Sequence, residues 1–462
     1  MQAVPSLPAT PLARSLGHWR PDFLKAHAED PARFPFLLES ASQGSRHARF
    51  DLLLARSGEE LTLEAGGRLV GPGAPARGFL AALDRWFQAE PRAAAGLKGP
   101  LPFVGGWFLY LGYELAAEVE PTLKLPPATG LVAAAFRVRA AAIYDHLEGE
   151  TWLVGEPGEE AALALLEARL GELASTEPPL ARLPPLELLE AQPERYRLAV
   201  RRALEYIAAG DIYQANLARE WHARLPAALS PAELYARLRR SNPGPFAGLA
   251  ALPGMSVLST SPERLVAARG GVVETRPIAG TRPRQGDDAS MREELRANPK
   301  EQAEHVMLLD LERNDIGRIS VGGSVEVDEY MAIESYAHVH HIVSNVRGRL
   351  RAGVSPGAIV RALFPGGTIT GCPKVRCMQI IAELEATPRG AYTGSFGYLG
   401  LDGSLDLNIL IRTATIRAGE DGSELSLRAG AGIVADSDPE RELEETRAKA
   451  RGLVRALTAE ND

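Results

Sequence analysis

Strand-like runs follow one another along this 462-residue chain without a helix between each pair, and that succession limits the fold more than any other feature. Residues 36–40 and 49–55 read as strands joined by a polar turn at 43–47, and 68–70, 104–112 and 140–144 continue the series. Further on, 211–219 alternates as a strand does, while 264–266 and 272–275 flank the hairpin signal Gly270-Gly271. Residues 338–350 and 394–415 add more, the latter turning at Asp402-Gly403. Helical patterns are interspersed at 159–174, 194–209 and 291–315, the last broken near Pro299. A doubly wound sheet would alternate strand and helix regularly, so this order predicts an α+β fold.

A chain of this length can hold two domains. Pro178, Pro179, Pro184 and Pro185 mark 172–190 as the linker between an N-terminal region at 15–155 and a second domain at 191–458. Residues 1–30 read as a loose leader, and 276–284 as a rigid, proline-set basic loop. A net charge of −8 argues against nucleic acid as a partner, since that affinity comes from clustered Lys and Arg. No apolar run is long enough to span a bilayer and the N-terminus lacks a signal-like apolar core, so no membrane partner is expected and the predicted location is the cytoplasm. Cys372 and Cys377 are the only cysteines, which excludes a disulfide framework.

The stretch 427–449 is the densest in chemistry. It reads as a strand, a bare glycine loop and a helix capped by Ser437 or Asp438, with Pro439 in the first turn. Glu442, Glu445 and Lys449 share one helix face, and Gly430 and Gly432 leave backbone N–H groups open to an anion. Two carboxylates beside an anion-binding loop suit a hard divalent cation that bridges to a substrate carboxylate or phosphate; a solvated, charge-laced helix is the alternative. Residues 366–371 resemble a phosphate loop but continue as Cys372-Pro373-Lys374, which leaves Thr368 and free N–H groups at a helix N-terminus. Arg412, inside the apolar stretch 407–414, requires either an internal acid or an anionic ligand. The histidines of His338-Val-His-His341 alternate faces and form no metal triad by themselves.

Several longer stretches carry a resemblance. They are Gly210-Asp-Ile-Tyr-Gln-Ala-Asn-Leu, Thr260-Ser-Pro-Glu263, Arg276-Pro-Ile-Ala-Gly-Thr-Arg-Pro-Arg284 and Ala303-Glu-His-Val-Met-Leu-Leu-Asp-Leu-Glu-Arg-Asn-Asp315. His338-Val-His-His, Pro365-Gly-Gly-Thr-Ile-Thr-Gly-Cys-Pro-Lys-Val-Arg376 and the 427–449 stretch continue them. In this order across 190–457 they resemble the chorismate-utilising enzymes, and 15–155 resembles that family's N-terminal region more loosely. The resemblance implies a chorismate-binding fold with large antiparallel sheets and helices outside. By the same resemblance Glu304, Glu442 and Glu445 hold Mg2+ over the ring carboxylate, and Glu263 is the general acid for the departing C4 hydroxyl. Tyr392, Arg412 and Lys449 contact the enolpyruvyl carboxylate with N–H groups from Gly430 and Gly432, while Thr368 and His338 line the ring.

Family members that add water resemble one another in a Lys base where this chain has Gln214. An amide cannot take a proton from water, so nitrogen is the implied nucleophile. Tyr213-Gln-Ala-Asn216, Asn242-Pro-Gly-Pro-Phe246, His338-Val-His-His341, Pro365-Gly-Gly-Thr368 and Arg49-Phe-Asp51 look like aminodeoxychorismate synthase component I. Ala279 departs from it: that enzyme has a Lys there which attacks C2, and anthranilate synthase has Ala. The resemblance therefore implies amination of chorismate to 4-amino-4-deoxychorismate, with anthranilate formation as the alternative and a non-catalytic tryptophan-binding homologue third. Residues 37–40 resemble a tryptophan-binding element, which makes Leu38, Glu39, Ser40, Pro245 and Phe246 a possible tryptophan site. With no glutaminase signature in the chain, ammonia is expected from a separate glutamine amidotransferase subunit.

Overall fold

Two long strands, Phe50–Glu64 and Leu131–Asp145, join the two halves of the sheet system in the computed structural model. The structure describes residues 10–458 apart from 43–48, 92–100, 174–185, 228, 284–287, 336–338 and 420–421. The long strands pair antiparallel from Phe50↔Asp145 to Ala55↔Ala140 and, past a register shift, from Glu60↔Phe136 to Glu64↔Leu131. Each end of the pair belongs to a different layer. The 140–145 end continues to Glu150–Gly155 and Leu12–Gly17, and the 50–55 end to Phe36–Glu39, Phe246–Leu252, Met255–Ser261, Thr413–Gly419, Gly422–Ile433 and Gln214–Leu225. The 131–138 end continues to Gly106–Leu111, Ser395–Gly400, Leu405–Asn408, Arg264–Arg269, Val272–Thr275 and Val339–Arg349. Ile278–Pro283 and Glu326–Ser335 flank that last strand. Every ladder among the described residues is antiparallel, and the helices lie outside, as the α+β reading expected.

Phe36 and Phe108 stack between the layers with ring centroids 4.0 Å apart, and Phe136, Phe396, Val257 and Leu410 surround them. The alanines of Leu131–Asp145 are buried on both faces, where larger side chains would force the layers apart. Phe23–Glu29, Glu160–Gly171, Pro231–Ser241 and Pro439–Leu457 cover the outer face of the first layer through Leu24, Leu166, Tyr235, Leu238, Leu453 and Leu457. Phe79–Ala89, Pro299–Gly317 and Pro356–Leu363 cover the second through Leu83, Trp86, Leu309, Ile316 and Leu363. No helix among the described residues is long and apolar enough to cross a membrane.

Two local readings are corrected. The expected loose leader contains the edge strand Leu12–Gly17, paired with Glu150–Gly155, and the helix Phe23–Glu29, whose Asp22 cap accepts from the Lys25 N–H. The expected basic loop at 276–284 contains the strand Ile278–Pro283, bulged at Gly280 (φ +66°) against Val339–Arg349. Pro277 and Pro283 sit at its margins, where a missing N–H does least harm to the ladder. Strands of 15–155 and 191–458 pair directly, Phe36–Glu39 with Phe246–Leu252 and Gly106–Leu111 with Ser395–Gly400. Of the expected linker, 174–185 lie outside the described residues, as does the expected turn at 43–47.

Candidate active site

The helix Pro439–Leu457 begins where the sequence places it. Asp438 caps it, its carboxylate accepting from the Glu440 and Arg441 N–H groups at 3.1 and 3.0 Å. Leu443, Thr446, Ala450 and Leu453 are buried. Along the helix, Lys449 Nζ lies 2.7 Å from Glu445 Oε1 and donates to the Gly430 carbonyl at 3.1 Å.

The glycines are not a loop. Gly430 and Gly432 lie inside the strand Gly422–Ile433, opposite Ala218 and Asn216. A Cβ on Gly430 would stand 2.6 Å from Asn216 Oδ1, 2.8 Å from the Leu217 carbonyl and 2.8 Å from the Tyr392 hydroxyl; one on Gly432 would stand 2.4 Å from Gln214 Nε2. Glycine is needed because these side chains cross the sheet surface at that point. The ladder to Thr413–Gly419 ends at Leu427, so beyond it that edge of the strand is unpaired among the described strands.

Glu263 follows the strand Met255–Ser261, and Ser261 Oγ accepts from its N–H at 3.1 Å. Its carboxyl is 5% exposed and accepts from Thr368 Oγ1 at 2.8 Å. Burial pushes it up to about 7; the Thr368 hydroxyl and the Ile278 N–H pull down, and nearby Glu312 adds an upward push. Thr368 does not sit directly at the helix end. The short strand Gly371–Cys372, paired with Ala215 and Gln214, separates it from the helix Lys374–Glu385. Glu312 braces the preceding turn by accepting from the Gly367 N–H at 3.3 Å, and burial pushes its own carboxyl up to about 7 beside the Lys374–Asp315 pair.

Arg412 also departs from the sequence reading. It stands between the strands Leu405–Asn408 and Thr413–Gly419 at φ +53°, with its carbonyl accepting from the Thr260 N–H and hydroxyl at 3.0 and 3.1 Å. It forms no ion pair among the described residues. Burial lowers its pKa, with Tyr392 and Glu445 opposing. Tyr392 is buried and pushed up to about 12, so its phenol stays a donor. Burial and Arg412 push His341 down to about 4, which keeps it neutral. His338 lies outside the described residues.

Gln214 is 4% exposed and donates from Nε2 to Glu304 Oε1 at 2.8 Å. Ala279, 6% exposed, lies on the strand Ile278–Pro283 beside the Ile278 N–H that reaches Glu263, and its methyl offers no nucleophile. Burial raises Glu304, and Glu301 and Glu445 add to the rise, so these carboxylates lie within each other's field. Glu442 acts on the Tyr196 hydroxyl. Among the described residues no three His, Cys, Asp or Glu side chains converge closely enough to enclose an ion. The donors are nonetheless hard carboxylates, and octahedral Mg2+ keeps several waters while taking one or two protein carboxylates. In donor chemistry the residues fit that ion. Glu301 and Glu312 are absent from the sequence-predicted site; the signal for Glu301 is its three-residue spacing to Glu304, the same as between Glu442 and Glu445.

Leu38, Glu39, Ser40, Pro245 and Phe246 line one cavity of about 390 Å³, together with Phe50, Phe396, Tyr398 and Arg264. Glu39 pairs with Arg239 at 2.6 Å and Arg264 with Asp406 at 2.9 Å. This is a separate cavity, lined by none of Glu263, Glu304, Tyr392 and Arg412.

Residues 35–455 match the family described as chorismate binding enzyme. The chain is 42% identical over 381 residues to aminodeoxychorismate synthase component 1 of Bacillus subtilis, covering 77% of each. It is 41% identical over 440 residues to anthranilate synthase component 1 of Thermus thermophilus, covering 93% of each. Among solved structures, anthranilate synthase component I from Streptococcus pneumoniae superimposes with a TM-score of 0.77 at 31% identity, covering 89% of this chain and 93% of that one. With the family matched across 35–455 and relatives covered along most of their length, the chain belongs to the chorismate binding enzyme family.

Proposed function

We propose that this chain is component I of an aminodeoxychorismate synthase, which aminates chorismate to 4-amino-4-deoxychorismate with ammonia from a separate glutamine amidotransferase subunit. One observation carries the chemistry: Glu263 is buried, held by the Thr368 hydroxyl and pushed up to about 7, so it keeps a proton to give near neutral pH. That proton goes to the departing C4 hydroxyl. Arg412 has no acidic partner among the described residues, and with the Tyr392 phenol and the open strand edge at Gly430 and Gly432 it suits a carboxylate of the substrate. Gln214 is tied to Glu304 and cannot act as a base toward water, which supports a nitrogen nucleophile. Glu304, Glu442 and Glu445 would hold Mg2+, with Glu301 adding its field at Glu304, and the bound ion would neutralise the second carboxylate.

The stretches at 213–216, 338–341 and 365–368 favour the 4-amino product, and the name component 1 on the relatives supports a partner subunit. The cavity at Leu38, Glu39, Ser40, Pro245 and Phe246 is lined by aromatic rings and by charged groups, Glu39 and Arg264 among them, which suits an aromatic amino acid, and we assign it to tryptophan. Ala279 favours a second reading, anthranilate synthase component I. Without an amine at that position ammonia can add at C2, and loss of pyruvate then gives anthranilate. Both readings require loss of chorismate absorbance that depends on Mg2+ and ammonium, and no loss with both present would refute them together.

A further inference from the structure

Two buried amide oxygens face the candidate site without a donor. Gln214 Oε1 and Asn216 Oδ1 accept no hydrogen bond among the described residues. They alternate on the strand Gln214–Leu225, so both point to the same face. The Gln214 amide is fixed by its 2.8 Å donation to Glu304, which turns its oxygen the other way. Asn216 is fixed through its backbone, donating to the Thr370 carbonyl at 2.9 Å and accepting from Arg389 at 2.7 Å. Diagonally across the ladder stand Gly432 beside the Gln214 amide and Gly430 beside the Asn216 amide, where a Cβ would fill the space. A buried acceptor left unmatched costs free energy, and two on one face of a strand, beside two glycines, call for a ligand that donates at least twice.

We propose that Gln214 and Asn216 are the acceptor pair that holds ammonia for attack on the ring, a role that rests on the amination reading above. Ammonia gives one N–H to each amide oxygen, which leaves its lone pair and third N–H directed away from the sheet. The lone pair forms the C–N bond at C2, the ring double bonds shift, and the C4–O bond breaks with its electrons on oxygen; a second ammonia adding at C4 by the reverse shift, with loss of the C2 amine as ammonia, gives the 4-amino ring. Glu263 protonates that oxygen to water, and the new ammonium group returns a proton to Glu263. Ammonia and the ring alcohol thus become the ring amine and water. Water could dock on the same pair, but it needs a base to attack, and neither amide is one.

The test measures KM for ammonia, supplied as ammonium chloride at fixed pH, with saturating chorismate and Mg2+. Asn216→Leu and Asn216→Ala each remove one acceptor and should raise the ammonia KM about threefold to tenfold while the chorismate KM holds. Asn216→Asp keeps an oxygen in place and should restore the ammonia KM toward wild type. An unchanged ammonia KM in the Leu and Ala variants overturns the proposal. So does a parallel rise in both KM values, or an Asp variant as impaired as the Leu variant. If the Leu variant does not fold, the Ala and Asp variants decide. A wild-type chain that leaves chorismate untouched with ammonium and Mg2+ sinks the amination reading, and this proposal with it; an active wild type with unaltered variants sinks the acceptor pair alone.

Discussion

Replacing Thr368 by Val removes one hydroxyl and nearly preserves the shape of the side chain. That hydroxyl donates to Glu263 Oε1 at 2.8 Å and favours the ionised carboxylate, so it holds the acid below where burial alone would put it. A hydrogen bond to a charged group contributes about 1.5–3 kcal/mol and one pKa unit is 1.36 kcal/mol, so losing it should raise Glu263 by about one to two units while the Ile278 N–H remains. The proton-donating form then survives to higher pH. The alkaline limb of kcat/KM, which reports the free enzyme, should lie near 7 in the wild type and move upward by about one to two units in the variant. Initial rates of chorismate loss, taken at saturating Mg2+ and constant free ammonia, measure it. A limb that stays in place or moves downward would refute the assignment of Glu263 as the acid. Stability supplies the companion sign. Because the folded value of about 7 exceeds the ordinary 4.5, Glu263 favours the folded state most below 4.5, and this contribution is lost as pH rises through 7. The loss amounts to at most about 3 kcal/mol. In Thr368→Val the fall in Tm should extend to higher pH than in the wild type.

Arg412→Ala breaks no ion pair, so Tm should hold while the chorismate KM rises about tenfold to a hundredfold, as expected for lost hydrogen bonds to a charged group; a large fall in Tm with unchanged kinetics would assign it a structural role instead. Gly430→Ala puts a methyl 2.8 Å from the Leu217 carbonyl and 2.6 Å from Asn216 Oδ1. It should cost about 1–3 kcal/mol in denaturant unfolding, and wild-type stability would contradict the packing described. Glu445→Gln removes a carboxylate from the field around Glu304 and should raise the Mg2+ concentration for half-maximal activity at least tenfold; an unaltered Mg2+ titration would remove Glu445 from the metal site.

The features legible in the sequence were those set by neighbours in the chain. Asp438 and Pro439 start their helix where side-chain capping predicts, and Gly270-Gly271 turns its hairpin. Features set by distant partners were not legible. The strand Leu12–Gly17 exists because Glu150–Gly155 lies beside it, and Ile278–Pro283 because Val339–Arg349 does; neither pairing can be read from local pattern. Gly430 and Gly432 show the same limit in the site. Their lack of side chains read as a loop, whereas they are strand residues cleared for Gln214, Asn216 and Tyr392, which come from elsewhere in the chain. Arg412 has no acidic partner among the described residues, and its left-handed turn between two strands has no signal in an apolar stretch. Glu312 carries no local mark either, since its importance comes from Gly367 and Glu263 folding against it.

Product analysis tests the central proposal most directly. The chain is incubated with chorismate, Mg2+ and ammonium chloride, pyruvate is followed by a coupled assay, and an aminodeoxychorismate lyase is then added. The account predicts chorismate loss without pyruvate before the addition, and p-aminobenzoate with pyruvate after it. Anthranilate and pyruvate released before any lyase is present would contradict it, and would make Ala279 the residue that decides the product.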